Sequence, residues 1–370
     1  MIYFDNSATT PMAPEVIEEI VNHMNTQFAN PSSRHALGLE AEKTVSLARQ
    51  RVAKALFASP DEVYFTSGGT ESDNIAILGA ANIKKGKRIV TTQIEHPAVS
   101  KTMDYLEESG FEVIRVMPES DGNVRAEKII DSVNENTCLV SVMHVNNETG
   151  AILPVDKLKP AISRIAPRAL FHVDAVQSFG HIMFKSSLWG IDLASVSSHK
   201  IHGPKGVGAL YIRKGVTIKQ SVFGGGQEKN IRSGTENTTQ IAGFGKACEL
   251  LSARDAEKAA AVKNILKEGL LKISSASHNG GSENESPFIL NISFEGIRSE
   301  IMLNALSARG IYVSSGSACA SGHHTSPVLK AMNTPLADFA VRFSLSRYNT
   351  EEEALEVVQT VTEIEKGLRR

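Results

Sequence analysis

Between residues 60 and 250, short apolar runs alternate with stretches of helical spacing. Runs at 62–65, 88–92, 112–116, 139–145, 170–174, 193–197 and 207–212 are almost continuously hydrophobic. That is the pattern of strands covered on both faces. The stretches between them, 72–85 and 97–109 among others, carry apolar residues at helical intervals. The alternation predicts an α/β fold, with a large doubly wound domain on a mostly parallel seven-stranded sheet. Beyond residue 250 the pattern changes. Residues 253–274 predict a long polar helix, and 278–286, rich in Gly, Asn, Ser and Glu, a loop. A strand (288–294), a helix (299–309), a strand (311–314), a short helix near 327–332, a strand (340–346) and a final helix from Thr350 predict a smaller C-terminal α+β domain. There is no internal repeat and no low-complexity linker.

The composition narrows the functional classes. With 370 residues the chain is long enough for a sizeable core, and 41% hydrophobic with 22% charged residues is ordinary for a soluble protein. A formal net charge of -2 gives no electrostatic ground for binding nucleic acid or an anionic membrane. The opening Met1-Ile2-Tyr3-Phe4-Asp5 shows no basic leader and no spanning segment, and three cysteines cannot all pair within one chain. A cytoplasmic location is expected. Cys138, on an apolar strand, and Cys248, on a helical stretch, read as structural. Cys319 differs. It sits in Ser314-Ser315-Gly316-Ser317-Ala318-Cys319-Ala320-Ser321-Gly322, where small neighbours leave the sulfur accessible and the backbone free to move.

Ligands of open α/β sheets collect beyond the carboxyl ends of the strands, and several polar residues fall there. Thr66-Ser67-Gly68-Gly69-Thr70-Glu71-Ser72 follows a strand and opens a helix. Small residues, a hydroxyl and a helix N-terminus suit a phosphate, and equally an ordinary capping turn around Thr70. It is neither a Walker loop nor a dinucleotide fingerprint. The strand in Leu170-Phe171-His172-Val173-Asp174 ends in a carboxylate, which suits either a helix cap or a protonated ring nitrogen. Lys200, in Ser197-Ser198-His199-Lys200, follows another apolar run and precedes Gly203-Pro204. It is a surface charge or, if partly desolvated, an amine able to form a Schiff base. His96, after a further strand, is a loop residue or a ring-stacking acid–base group. Taken together, a phosphate cup, a carboxylate and a Schiff-base lysine describe a pyridoxal 5'-phosphate site.

Across essentially its whole length the chain resembles the cysteine desulfurases of the NifS/IscS type, in the class V aminotransferase superfamily. The resemblance rests on Tyr3-Phe4-Asp5-Asn6-Ser7-Ala8-Thr9-Thr10-Pro11, Asn30-Pro31-Ser32-Ser33, the Thr66 to Ser72 turn, Glu95-His96 and His144-Val145-Asn146-Asn147-Glu148-Thr149-Gly150. It continues through His172-Val173-Asp174-Ala175-Val176-Gln177, Ser198-His199-Lys200, Arg232-Ser233-Gly234-Thr235, Ser314 to Cys319 and Arg342-Phe343-Ser344-Leu345. It implies the type I fold of pyridoxal phosphate enzymes, divided into residues 15–250 for the large cofactor domain and 1–14 with 251–370 for the small one. It implies that Lys200 holds the cofactor, Asp174 meets its ring nitrogen, Gln177 its ring oxygen, and His96 stacks on the ring. Gly69, Thr70, Ser197 and His199 would bind the phosphate. Thr235 would reach the phosphate of a neighbouring subunit in a homodimer. Asn30, Asn147 and Arg342 would position the substrate, with Asn147 also touching the cofactor. The implied reaction converts L-cysteine to L-alanine and leaves sulfur on Cys319 as a persulfide for an acceptor protein, as in iron–sulfur cluster assembly. Another pyridoxal-dependent aminotransferase or lyase would need the same pocket without Cys319. Three departures from the family pattern stand out: Ala29 before Asn30, Pro97 after His96, and a segment after Cys319 about one residue short that carries His323-His324. No further Cys or carboxylate nearby completes a metal set with that pair.

Overall fold

A computed structural model of the chain describes residues 1–83, 86–281, 284–315 and 326–368. The first half contains β1 (Ile2–Tyr3), α1 (Pro14–Thr26), α2 (Ala36–Leu56), β2 (Val63–Thr66), α3 (Gly69–Ala81), β3 (Arg88–Thr92) and α4 (Pro97–Glu108). Then come β4 (Glu112–Val116), α5 (Ala126–Asp131), β5 (Thr137–Met143), α6 (Leu158–Ile165), β6 (Leu170–Asp174), β7 (Leu193–Ser197), β8 (Gly208–Ile212) and α7 (Thr238–Glu249). The remainder is α8 (Arg254–Leu270), β9 (Ala276–His278), β10 (Ile289–Phe294), α9 (Ser299–Ser307), β11 (Ile311–Tyr312), α10 (Pro327–Ala331), β12 (Ala340–Ser344) and α11 (Glu351–Leu368).

Seven strands form one sheet in the order β2-β8-β7-β6-β5-β3-β4. Its β4-β3-β5-β6-β7 portion is parallel, and β8 runs antiparallel to both neighbours. The expected mostly parallel, seven-stranded α/β architecture is therefore present. Every residue of β5, β6 and β7 is buried, which explains their unbroken apolar runs. The core around the sheet joins Val142, Val173 and Val196 to Phe179, Phe244 and Val52 from the covering segments. A second apolar cluster draws Leu266, Leu290, Phe343 and Val357 together with Ile2 and Phe4 from the other end of the chain. There β10 is flanked by β12 and β9, and β1 pairs with β11.

Element boundaries moved by two or three residues in two places. β5 stops at Met143 rather than at residue 145. The Met143 amide leaves the ladder for the Glu95 carboxylate, and Val145 turns to bridge Ile152. The helix expected from residue 72 begins at Gly69, with Gly68 as its N-cap.

Candidate active site

The carboxyl ends of β2, β3, β5, β6 and β7 surround a cavity of about 400 Å³. Of the residues singled out in the sequence, Gly69, Thr70, His96, Asn147, Asp174, Gln177, Ser197, His199, Lys200 and Arg342 line it. Asn30 and Thr235 do not. Asn30 is exposed, and its Oδ1 accepts from the Ser32 amide in a local turn; Thr235 is exposed as well. Cys319, His323 and His324 lie outside the described residues. The chain on either side of that segment reaches the cavity: Ser314 bridges Arg342, and Pro327 and Val328 are part of the lining.

One end of the cavity suits an anion. Strand β2 gives way to α3 through Gly68, whose φ of +156° is open to glycine. At Gly69 a side chain would collide, since a Cβ there would lie 2.6 Å from Val176 Cγ2. Gly69 and Thr70, at the N-terminus of α3, are part of the cavity lining. The Ser197 hydroxyl faces this turn, buried and without a hydrogen-bond partner. An unsatisfied buried hydroxyl points to a missing partner. His199 shares a 3.1 Å hydrogen bond with the Thr9 hydroxyl, and burial holds its imidazole down to about 4, so it is neutral.

The centre suits a protonated ring. Asp174 ends β6, where its Oδ1 accepts from the Val176 amide at 2.9 Å. Burial pushes its carboxyl above the usual range, against the Val176 amide and the pull of Lys200. A cation at this place would reverse that rise. His96 is the N-cap of α4, with Nδ1 accepting from the Ala98 amide at 3.1 Å. Burial lowers its pKa, so the ring is neutral and its proton sits on Nε2. Pro97 occupies the first helical position, which needs no amide donor, so this departure from the family pattern costs α4 nothing. Gln177 is fixed through Nε2 to the Ser7 carbonyl at 2.9 Å. Lys200 lies in the 3-10 turn after β7, and its ammonium donates to the carbonyls of Ser7 and Ala8. These residues fit pyridoxal 5'-phosphate: an anion cup with an orphaned donor, a carboxylate wanting a cation, and an amine on one wall.

The far wall carries Arg342, only 2% exposed. Its Nη2 donates to Asp5 Oδ1 at 2.8 Å and its Nη1 to the Asn147 carbonyl at 2.9 Å. Five side chains were missed as site residues: Ser7, Asp5, Asp73, Glu95 and Glu148. The last three are buried carboxyl groups, and Ser7, Asp73, Glu95 and Glu148 line the cavity. Asp5, Ser7, Glu95 and Glu148 all stand inside motifs that carry the family resemblance. For Asp5, directly after Ile2-Tyr3-Phe4, a charge set against an apolar run was the available signal.

The class-V aminotransferase family pattern matches residues 2–357. The chain belongs to this family, among its cysteine desulfurases. It is 43% identical over 378 residues to cysteine desulfurase IscS of Methanosarcina thermophila, covering 100% of this chain and 93% of that relative. Cysteine desulfurase IscS of Dictyoglomus turgidum is 41% identical over 98% of this chain and 94% of its own. Among solved structures, a NifS-like protein superposes with a TM-score of 0.91 at 41% identity, covering 100% of this chain and 99% of that one. SspA in complex with cysteine gives a TM-score of 0.84 at 33% identity, over 95% and 100% of the two chains.

Two further observations bear on this desulfurase's chemistry. Cys138 and Cys248 are buried free thiols, and burial raises both, Cys138 to about 11. Neither is ionised enough to act as a nucleophile. Among the described residues no cluster of His, Cys, Asp or Glu is placed to hold a metal, and no helix is long and apolar enough to cross a membrane.

Proposed function

We propose that this cysteine desulfurase binds pyridoxal 5'-phosphate in the cavity through Lys200 and moves sulfur from L-cysteine to Cys319. The carrying observation is the meeting of Lys200, Asp174 and the orphaned Ser197 hydroxyl at the N-terminus of α3. Gly69, Thr70, Ser197 and His199 would hold the phosphate, Asp174 the ring nitrogen and Gln177 the ring oxygen. Bound there, the cofactor supplies an electron sink next to the substrate Cα. Arg342 and Asn147, with Asn30, would seat the substrate carboxylate, for which a planar guanidinium is well shaped. The Lys200 amine takes the Cα proton. Neutral His96, its proton on Nε2, is the acid placed to donate a proton beside the substrate sulfur. The Cys319 thiolate attacks the substrate sulfur, and the C–S bond breaks with its electron pair left on the carbon fragment. That fragment takes up protons and leaves as alanine, while Cys319 keeps the sulfur as a persulfide. A sulfur-acceptor protein then receives it.

A homodimer accords with exposed Ile17, Val21 and Met24 along one side of α1, and with exposed Phe28 and Phe223. It would give Thr235, which does not line its own chain's cavity, a phosphate to reach. The division into 15–250 and 1–14 with 251–370 accords with the two apolar clusters. A reducing cytoplasm would keep the Cys319 thiol available. The test is to add L-cysteine, measure alanine and map the persulfide. The reading requires Cys319→Ala to abolish sulfur transfer with the cofactor's visible absorbance intact. Unchanged sulfur transfer in that variant would overturn it.

A further inference from the structure

Beneath the site three carboxyl groups share one wall of the cavity. Asp73 comes from α3, Glu95 from the turn after β3, and Asp174 from the end of β6. None is more than 7% exposed. The strand register explains the closeness. Asp174 lies opposite Met143 on β5 and Ser195 on β7. The Met143 amide donates to Glu95 Oε1 at 3.0 Å, and the Ser195 hydroxyl sits between Asp73 and His172.

We propose that this wall holds three carboxyl groups but one negative charge, with Glu95 and Asp73 standing as neutral acids that reserve the charge for Asp174. Glu95 and Asp73 are positioning residues in this scheme, acting on the cofactor through Asp174, and the idea rests on the cofactor reading above.

The hydrogen bonding sets which groups are neutral. Glu95 Oε1 accepts from the Thr92 hydroxyl at 2.6 Å and from the Met143 amide, while its Oε2 is buried with no partner. Both donors fall on one oxygen, so a proton can sit on the other without displacing either bond. Asp73 Oδ1 is likewise buried and without a hydrogen bond; the nearest base, His172 Nε2, is 3.6 Å away. His172 cannot serve as a counter-cation. Its ring is engaged by the Ser141 and Ser195 hydroxyls, and burial lowers it to about 3.

Lys200 donates to the Ser7 and Ala8 carbonyls, and Arg342 pairs with Asp5. Glu148 accepts from the Ser326 hydroxyl. Lys200 acts on Asp174, whose own charge opposes ionisation of both Glu95 and Asp73. A second or third unpaired carboxylate buried here is unfavourable, and taking up a proton removes the charge. Burial pushes Glu95 up to about 8 and Asp73 well above its ordinary value. The field at the ring nitrogen is then that of one carboxylate through neutral pH.

The test is infrared spectroscopy of the wild-type protein across pH 6–10, with and without cofactor, followed by Glu95→Gln, which mimics the neutral acid. We expect a protonated-carboxyl carbonyl band at pH 7 that shifts in heavy water, loses intensity in Glu95→Gln, and falls in wild type with a midpoint near 8. The visible absorbance of bound cofactor should titrate identically in the two proteins up to about pH 7.5 and diverge above it. The band belongs to the chain alone, so it reports even if cofactor binding fails. A wild-type protein with no protonated-carboxyl band at pH 7 would overturn the proposal. So would a Glu95→Gln titration displaced more than threefold in proton concentration at neutral pH. If Glu95→Gln does not fold, the wild-type band and its loss near pH 8 decide the matter.

Discussion

Replacing Ser197 with alanine should have opposite consequences for the empty and the loaded protein. The hydroxyl is 2% exposed and its Oγ has no partner within the chain. A buried polar atom left unsatisfied costs roughly 1–3 kcal/mol, so deleting it relieves a penalty. The relief is partly cancelled by lost packing around one small atom. The apo-protein is therefore expected to be unchanged or up to about 1 kcal/mol more stable in urea unfolding. With the cofactor present, the same hydroxyl donates to a phosphate. A hydrogen bond to a charged group is worth about 1.5–3 kcal/mol, which is roughly ten- to hundredfold in affinity. Equilibrium titration of Ser197→Ala with pyridoxal 5'-phosphate should show that loss. Titration with pyridoxal, which lacks the phosphate, should show none. Apo-protein destabilised by more than about 1 kcal/mol would refute the assignment, because the hydroxyl would then be satisfied within the chain. Equal weakening toward both ligands would refute it too.

Two further outcomes follow from buried charge. Asp5→Asn keeps the shape but removes the countercharge of Arg342, and breaking a buried pair costs about 3–5 kcal/mol. Because the Asp5 side chain is 21% exposed and asparagine still offers an acceptor, a loss of about 2 kcal/mol in urea unfolding is expected; no loss would show that Arg342 is neutralised by other groups. His172, held at about 3 in the fold against about 6.5 when unfolded, takes up a proton on unfolding between those values. Stability therefore falls as pH drops below 6.5, by up to about 1.4 kcal/mol per unit. The unfolding free energies of wild type and His172→Gln should run parallel above pH 6.5 and converge or cross below it; curves parallel throughout would contradict a neutral buried ring.

How much of the site was legible depends on how local each signal is. Gly69, Asp174 and Lys200 were found because each stands at the end of an apolar run or within four residues of it, and the rule that ligands gather at strand ends needs only that order; Ser197 came from the family resemblance. Asp73 and Glu95 carried no such mark. Asp73 lies one turn inside a helix, where an acidic residue ordinarily faces water. Its burial follows from α3 packing on β7 and β6. Glu95 precedes His96, and only the Met143 amide of a different strand shows where its side chain goes.

The sequence by itself determined the alternation of strand and helix, the mostly parallel sheet and the order in which chemically distinctive residues meet the strand ends. Hydrophobic periodicity and turn chemistry act over a few residues, and a linear string displays them. Only the tertiary structure decided which groups share a charge environment: Asp5 against Arg342, 337 positions apart, and two more carboxyl groups beside Asp174. Electrostatic neighbours are set by strand order and register, because a buried charge responds to what the fold brings close and not to what the chain places next to it.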